Sequence, residues 1–396
     1  MNSRIDDVNG VNDIRVVDDR IIFVPGKLDL EESGVIKNPG DISLQSSRII
    51  AELAVCLGTV EASLSDLVKL VVYYVQFDVD EMELRLHLGR CLGTTVQTAV
   101  TFVPIRQLRI AEALVEIEAI AIRGESSREG VVHSDLAMPG AGFCHGLRCG
   151  EFAFLSGQSS DSYNASILFP DDLVSQNQKT IENLRLVMQL MDVDDTDIVK
   201  VNSWRAPTMD RLAYETAASD RFRFLAASGP AVTGITIPRL NAIGHQIRLD
   251  LWAMDTHLQR TKINPPDHWG WKIAASYSHG LQVGPWLFVG GQAALDKDCI
   301  VQYPENIVQQ IDVTKCFIEN IIKHATGEYK LVKLNGLFCD STDSDQRIQI
   351  RQTLTDLFPS SRPVRTFIPV DHLAYSHQAI ELDAIAKLQV NDSKIN

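Results

Sequence analysis

The sequence predicts an α+β fold of three tandem domains, each a mixed sheet with two helices on one face, closed as an intramolecular pseudo-trimer. Three observations carry this reading. Short phrases recur three times in one order and at one period, the period is long enough to bury a core, and each period alternates strand-like with helix-like hydrophobic spacing. The phrases are DISLQ (41–45), DLVSQ (172–176) and NIVQQ (306–310); LVKL (67–70), IVKV (198–201) and LVKL (331–334); and VEIEAIA (115–121), IRLDLWA (247–253) and IELDAIA (380–386). Gln45, Gln176 and Gln310 are spaced by 131 and 134, Lys69, Lys200 and Lys333 by 131 and 133, and Glu118, Asp250 and Asp383 by 132 and 133. One such phrase is chance; three co-linear phrases with one period are a triplication.

Each unit opens on a short apolar strand ending in glycine: RIIFVPG (20–26), EFAFLSG (151–157) and PWLFVGG (285–291). A helix follows. In the first unit Ile42, Ile49, Ile50, Leu53 and Leu57 share one face and Asp41 is placed to cap it; in the second the helix covers 173–190. The LVKL phrase opens a β-branched strand, 67–77 in the first unit. A more polar helix comes next, 346–358 in the third unit, and two extended runs close it, 364–370 and 379–388. The short gap between those runs predicts an antiparallel hairpin. Polar, Gly-rich stretches at 123–130 and 137–142 and the Pro-Pro stretch at 261–271 place the units at 1–126, 127–262 and 263–396. The uncovered face of each sheet predicts closure about a pseudo-threefold axis; independent beads on a string are the alternative.

Composition narrows the function. The chain of 396 residues is 45% hydrophobic and 22% charged, which excludes global disorder. Its 37 Lys and Arg against 51 Asp and Glu give a net charge of -14, which argues against nucleic acid and anionic membranes as partners. The polar N-terminus lacks a signal-like apolar run, the stretch LVKLVVYYV (67–75) is too short to span a bilayer, and seven scattered cysteines fit reduced thiols. A cytoplasmic location is expected. Cys144 and Cys149 make no zinc pattern, His372 and His377 lack metal partners, and GAGFCHG (140–146) is no dinucleotide fingerprint. No metal or cofactor is expected.

Two residues carry candidate chemistry. Arg365 and Asp383 are equidistant from residue 374, so a hairpin there sets them roughly opposite each other. An arginine fork binds a carboxylate bidentately, and a nearby Asp can move protons through a water. The expected partner is a small anionic substrate. The structural alternatives are a surface ion pair for Arg365, a satisfied core carboxylate for Asp383 and a packing role for Tyr277. His145 and His279 recur at matching places, which favours a structural role.

The phrases resemble the Rid (YjgF-like) enamine/imine deaminases, over essentially the whole chain and three times over. The closing phrase at 115–121 and Ser156-Gly157-Gln158 are its most specific parts. The resemblance implies a chorismate-mutase-like fold and a family homotrimer, with clefts between subunits, fused into one polypeptide. It also implies unequal copies. The family arginine aligns with Val100, Val232 and Arg365, the tyrosine with Phe143 and Tyr277, and the Ser-Gly-Gln with Pro25-Gly26-Lys27, 156–158 and Gly290-Gly291-Gln292. The family carboxylate aligns with Glu118, Asp250 and Asp383. One set then survives, in the third unit: Tyr277, Gly291, Arg365 and Asp383.

By the resemblance, Arg365 holds the substrate carboxylate, Asp383 orients water and shuttles protons, the Gly291 N–H meets the polar end and Tyr277 walls the cleft. Asp383 is one methylene shorter than the family Glu, which bears on the rate. Arg351, if it faces the cleft, favours a dicarboxylate such as the aminomuconates handled by some relatives. The implied activity is hydrolytic deamination of a small carboxylate-bearing enamine or imine. A non-catalytic binding or assembly protein is the alternative. In solution a monomeric pseudo-trimer, or a dimer or higher multiple of it, is expected.

Overall fold

The computed structural model describes residues 14–76, 79–93, 96–255, 257–270, 275–341 and 343–389. The N-terminal stretch 1–13, Phe77 of the expected strand and Trp271 of the expected linker lie outside them. The first unit holds β1 (Arg15–Val17), β2 (Ile21–Lys27), α1 (Ile42–Gly58), β3 (Leu67–Val75), α2 (Glu81–Leu92), β4 (Thr98–Ile105) and β5 (Val115–Ile122). The second holds β6 (Arg128–Val131), β7 (Phe143–Cys144), β8 (Gly146–Cys149), β9 (Phe152–Leu155), α3 (Leu173–Leu190), β10 (Ile198–Arg205), α4 (Arg211–Phe224), β11 (Ala231–Thr236) and β12 (Ile247–Met254). The third holds β13 (Arg260–Ile263), β14 (Gly280–Val283), β15 (Trp286–Gln292), α5 (Ile307–His324), β16 (Tyr329–Cys339), α6 (Ser344–Thr355), β17 (Val364–Val370) and β18 (Ile380–Leu388). β13 spans the expected 262/263 boundary and pairs wholly within the third sheet.

The helices begin where the sequence provides a cap. Asp41, Asp172 and Asn306 accept from Leu44, Ser175 and Gln309 N–H at the three first helices. The recurring glutamine is a clamp. Gln45, Gln176 and Gln310 each donate to two carbonyls, one in the loop before the helix and one in the loop before the last strand, and each accepts a backbone N–H.

Each sheet has six strands, in the orders β1-β2-β5-β3-β4-β7, β6-β8-β9-β12-β10-β11 and β13-β14-β15-β18-β16-β17. The expected hairpin does not form. β17 runs parallel to β16, while β18 inserts between β15 and β16, antiparallel to both. The helical crossover through α6 returns the chain to one edge of β16, so the closing strand takes the other. Arg365 lies beside Leu334 and Asp383 beside Asn335. Consecutive residues of a strand face opposite sides, so Arg365 and Asp383 point away from each other.

The other face of each sheet is covered by the other two units. An apolar cluster on the axis draws Phe23, Val68 and Ile120 from the first unit, Phe154, Val199 and Trp252 from the second, and Trp286, Val332 and Ile385 from the third. A second draws Tyr73, Trp204 and Leu337. Along β3, β10 and β16 the repeated lysine falls between them, just after a bulge. All three lysines are buried and paired in a cycle: Lys69 with Asp250 at 3.9 Å, Lys200 with Asp383 at 3.2 Å and Lys333 with Glu118 at 2.7 Å. Each lysine therefore reaches the acid of the next unit. Two of the phrases that betray the triplication thus mark a polar layer that holds the three units in register.

Candidate active site

The three seams repeat one arrangement. The edge strand of one unit presents Val100-Thr101, Val232-Thr233 or Arg365-Thr366. The next unit presents a glycine and a charged residue from its closing strand: Gly157 with Arg248, Gly291 with Glu381, Gly26 with Glu116. A Cβ built on Gly291 falls 2.1 Å from Glu381 Oε1 and 3.2 Å from Thr233 Cγ2; one on Gly26 falls 2.1 Å from Glu116 Oε1; one on Gly157 falls 3.0 Å from both Arg248 Cδ and Thr101 Cγ2. The glycines are needed because the charged side chain lies directly against them. The charged residue sits two positions before Glu118, Asp250 and Asp383, on the same strand face.

The seam between the second and third units encloses a cavity of about 130 Å³, lined by Gly291, Glu381, Tyr277, Arg221, Arg205 and Val232 among others. Glu381 is 7% exposed. Burial, with the charge of Asp383 added, pushes its carboxyl up to about 7 against the pull of Gln378, Arg205 and Lys200. Gln378 Nε2 donates to Glu381 Oε2 at 3.3 Å. Two guanidinium groups face the same space from elements the family alignment does not mark. Arg221, on α4, donates to Asn177 Oδ1 at 2.8 Å, and Arg205, at the end of β10, stacks with its Cζ 4.7 Å from the Tyr214 ring centre. Tyr277 meets Phe222 edge-on at 4.9 Å, and burial raises its phenol against the lowering influence of Arg221.

The seam between the third and first units keeps the aligned arginine. Arg365 Nη2 donates to Leu357 O at 2.7 Å, within its own unit, and Arg351 Nη2 donates across the seam to Arg109 O at 2.6 Å. Glu116 is fully buried with Arg109 Nε 3.7 Å away, and neither of its oxygens has a hydrogen-bond partner among the described residues. Burial pushes its carboxyl to about 7, with the nearby Glu118 charge adding and Arg109 opposing.

The seam between the first and second units has inverted charge. Arg248 replaces the acid and grips Glu81 of α2 bidentately, with both distances 2.9 Å. Tyr74 Oη and Arg85 complete the cluster at 2.8 and 3.2 Å.

The five expected site residues therefore fall in three places. Tyr277 and Gly291 come together at the second–third seam. Arg351 reaches Arg109 O across the third–first seam, and Arg365 lies on the strand edge of the same seam with its guanidinium on Leu357 O. Asp383 lies in the axial layer, where Lys200 pairs with it and Thr233 Oγ1 donates to its Oδ2 at 3.0 Å. The sequence did not single out Arg205 or Arg221, and the solvated strand face it allowed for Glu116, Glu118 and Glu381 is instead buried. One signal was available: the closing phrase carries two acids at period two, and only the first of them turns to arginine in the second unit. His145 and His279 brace the chain through Ala137 O and Trp269 O at 2.9 and 2.8 Å, and burial drives His279 down to about 3. Among the described residues no group of three or more His, Cys, Asp or Glu is placed to hold a metal, and no helix is long and apolar enough to cross a membrane.

Residues 2–123 and 271–388 match the model of the family described as Endoribonuclease L-PSP. The chain belongs to that family. The matched segments are the first and third units; the L-PSP match leaves out the second, whose closing strand carries Arg248. Among solved structures, a chorismatase is similar over 81% of this chain and 93% of its own length, at 12% identity and a TM-score of 0.52. It shares the fold across the units. Yeast Mmf1 matches 33% of this chain and all of its own at 19% identity (TM-score 0.29), and Rv2704 from Mycobacterium tuberculosis, of the YjgF/YER057c/UK114 family, does so at 15% (TM-score 0.26). The family match agrees with the Rid resemblance of the sequence.

In Gly291→Ala the new methyl is expected to displace the Glu381 carboxyl, the flexible end of a side chain, while the melting temperature moves little. A crystal structure of the variant and a thermal melt check both halves.

Proposed function

We propose that the protein is a hydrolytic deaminase of a small carboxylate-bearing enamine or imine, working at the seam between the second and third units. Arg221 and Arg205 hold the substrate carboxylate, supplying the cation that Val232 lacks. The reaction is that of the Rid deaminases the chain resembles. Protonation of the enamine carbon gives an imine, water adds to the imine carbon, and the carbinolamine expels ammonia to leave a keto acid. Glu381 gives and takes the protons; Gly291 leaves room for its carboxyl, and Tyr277 walls the cleft. Asp383 acts from behind, its charge keeping Glu381 partly protonated. The observation that carries the reading is Glu381: a buried carboxyl titrating near 7, beside two guanidinium groups and a cavity. The net charge of -14 favours a small ligand over nucleic acid.

A second centre at the third–first seam is favoured by Glu116, whose buried oxygens have no hydrogen-bond partner among the described residues and only the Arg109 ion pair beside them, while Arg365 and Arg351 stand on the same seam. There Arg365 would hold the carboxylate as the family alignment implies. Ammonia release from freshly generated 2-aminoacrylate separates the possibilities. Arg221→Ala is expected to weaken substrate capture by about 1.5–3 kcal/mol, the worth of a hydrogen bond to a charged group, with Arg365→Ala close to wild type. The reverse pattern moves the chemistry to the Arg365 seam. A wild-type rate no faster than the spontaneous one leaves a non-catalytic binding protein.

A further inference from the structure

The second–third seam has two chambers. The inner one, about 130 Å³, holds Glu381, Gly291 and Arg221. The outer one, about 660 Å³, opens toward solvent past Met209. Arg205, Tyr214, Phe222 and Tyr375 line both and form the neck between them. The inner chamber has about a fifth of the outer one's volume, so the small reacting head belongs in the inner chamber beside Glu381 and a bulkier side chain in the larger space. The outer chamber has walls suited to a flat apolar group. Tyr214 is stacked by Arg205, Phe222 packs edge-on against Tyr277, Ala218 and Ala374 keep the floor shallow, and Met209 stands fully exposed at the rim. The Arg211–Glu215 ion pair there, at 2.7 Å, is self-contained, which leaves Arg205 as the guanidinium of this lining that faces the head of the substrate.

A three-carbon substrate would leave the neck aromatics without a partner. A ring seated among them would bury its faces against Tyr214, Phe222 and Tyr375. Resting on the deaminase reading above, we infer that the substrate is a 2-imino or 2-enamino acid whose third carbon bears an aromatic or comparably flat conjugated group, with the head beside Glu381 and the ring in the neck. The step is unchanged: water adds across the C=N bond, a proton passes to nitrogen, the C–N bond breaks, and ammonia leaves the aromatic 2-keto acid.

The test uses the full chain and two imino acids generated in place by an amino-acid oxidase, one from phenylalanine and one from alanine. Hydrolysis is followed by competition with semicarbazide trapping. The phenylalanine-derived imine is expected to show a kcat/KM roughly tenfold or more above the alanine-derived one, the scale of a buried ring against a methyl. Phe222→Leu, which removes a neck aromatic, is expected to reduce that preference, with a thermal melt on the same preparation showing that the fold is kept. Calorimetric titration with phenylpyruvate and with pyruvate separates this inference from the deaminase reading. Tighter phenylpyruvate binding without any hydrolysis keeps the ring site and sinks the enzyme. Equal handling of both imines, or equal binding of both keto acids, overturns the ring site whatever the rate.

Discussion

Glu381→Gln is expected to lower kcat by roughly 10²–10⁴-fold, the range for loss of a positioned acid–base group, with KM changed far less. The amide matches the carboxyl in size and can still hydrogen-bond with Gln378, so packing against Gly291 survives. What disappears is the exchangeable proton. Because burial and the Asp383 charge bring the wild-type carboxyl to about 7, the pH–rate profile should inflect there, and the inflection should be absent from the variant. Asp383→Asn supports the same reasoning from the other side. Removing that charge takes away one of the influences that raise Glu381, so the inflection moves to lower pH. The same change weakens the pair with Lys200, so a melt must accompany the rate measurement.

Glu81→Leu is expected to destabilise the fold by about 3–5 kcal/mol, the cost of leaving a buried charge without its partner. Arg248 is 3% exposed and loses a bidentate carboxylate; Phe102 O and Asn241 Oδ1 remain as neutral acceptors, and Arg85 stands nearby with the same sign. Glu81→Leu combined with Arg248→Met should recover much of the loss, because an apolar pair carries no desolvation cost. Denaturant unfolding of the three proteins measures this. The sign of the pH dependence is fixed as well. Burial alone would raise the Glu81 carboxyl, but Arg248 and Arg85 outweigh it and hold it below the usual range. A depressed folded pKa gives stability that is complete above the unfolded value of about 4.3 and is lost as pH falls through the folded one. The wild type should therefore lose stability on acidification in a window that Glu81→Leu does not show.

The triplication and the secondary structure of each unit were legible because they are local or periodic. Asp41 caps its helix, the first helix of the second unit covers 173–190, and the recurring Gln, Lys and acid phrases sit at equivalent places in all three sheets. Those phrases recur because each performs a polar structural task that every copy needs: a clamp for the glutamine, an axial layer for the lysine and the acid. The strand order was not legible. A short connection between β17 and β18 suggests a hairpin, and only the parallel pairing of β17 with β16 forces the closing strand elsewhere. The site was the least legible of all. Its groups converge across a seam, as Thr233 meets Asp383 from 150 residues away. Arg205 and Arg221 belong to no repeated phrase, so nothing in the repeat pointed to them. Aligning one unit against a family motif also hides which neighbour faces it. Tyr277 and Gly291 look toward the second unit, whereas the strand that carries Arg365 meets the first through Thr366 and Gly26.

A crystal structure of the protein soaked with a small 2-keto acid tests the location of the chemistry most directly. Density is expected at the second–third seam, with the ligand carboxylate within hydrogen-bonding distance of Arg221 or Arg205 and its keto oxygen beside Glu381. A ligand seated instead against Arg365 and Glu116, with the Glu381 cavity empty, would contradict it.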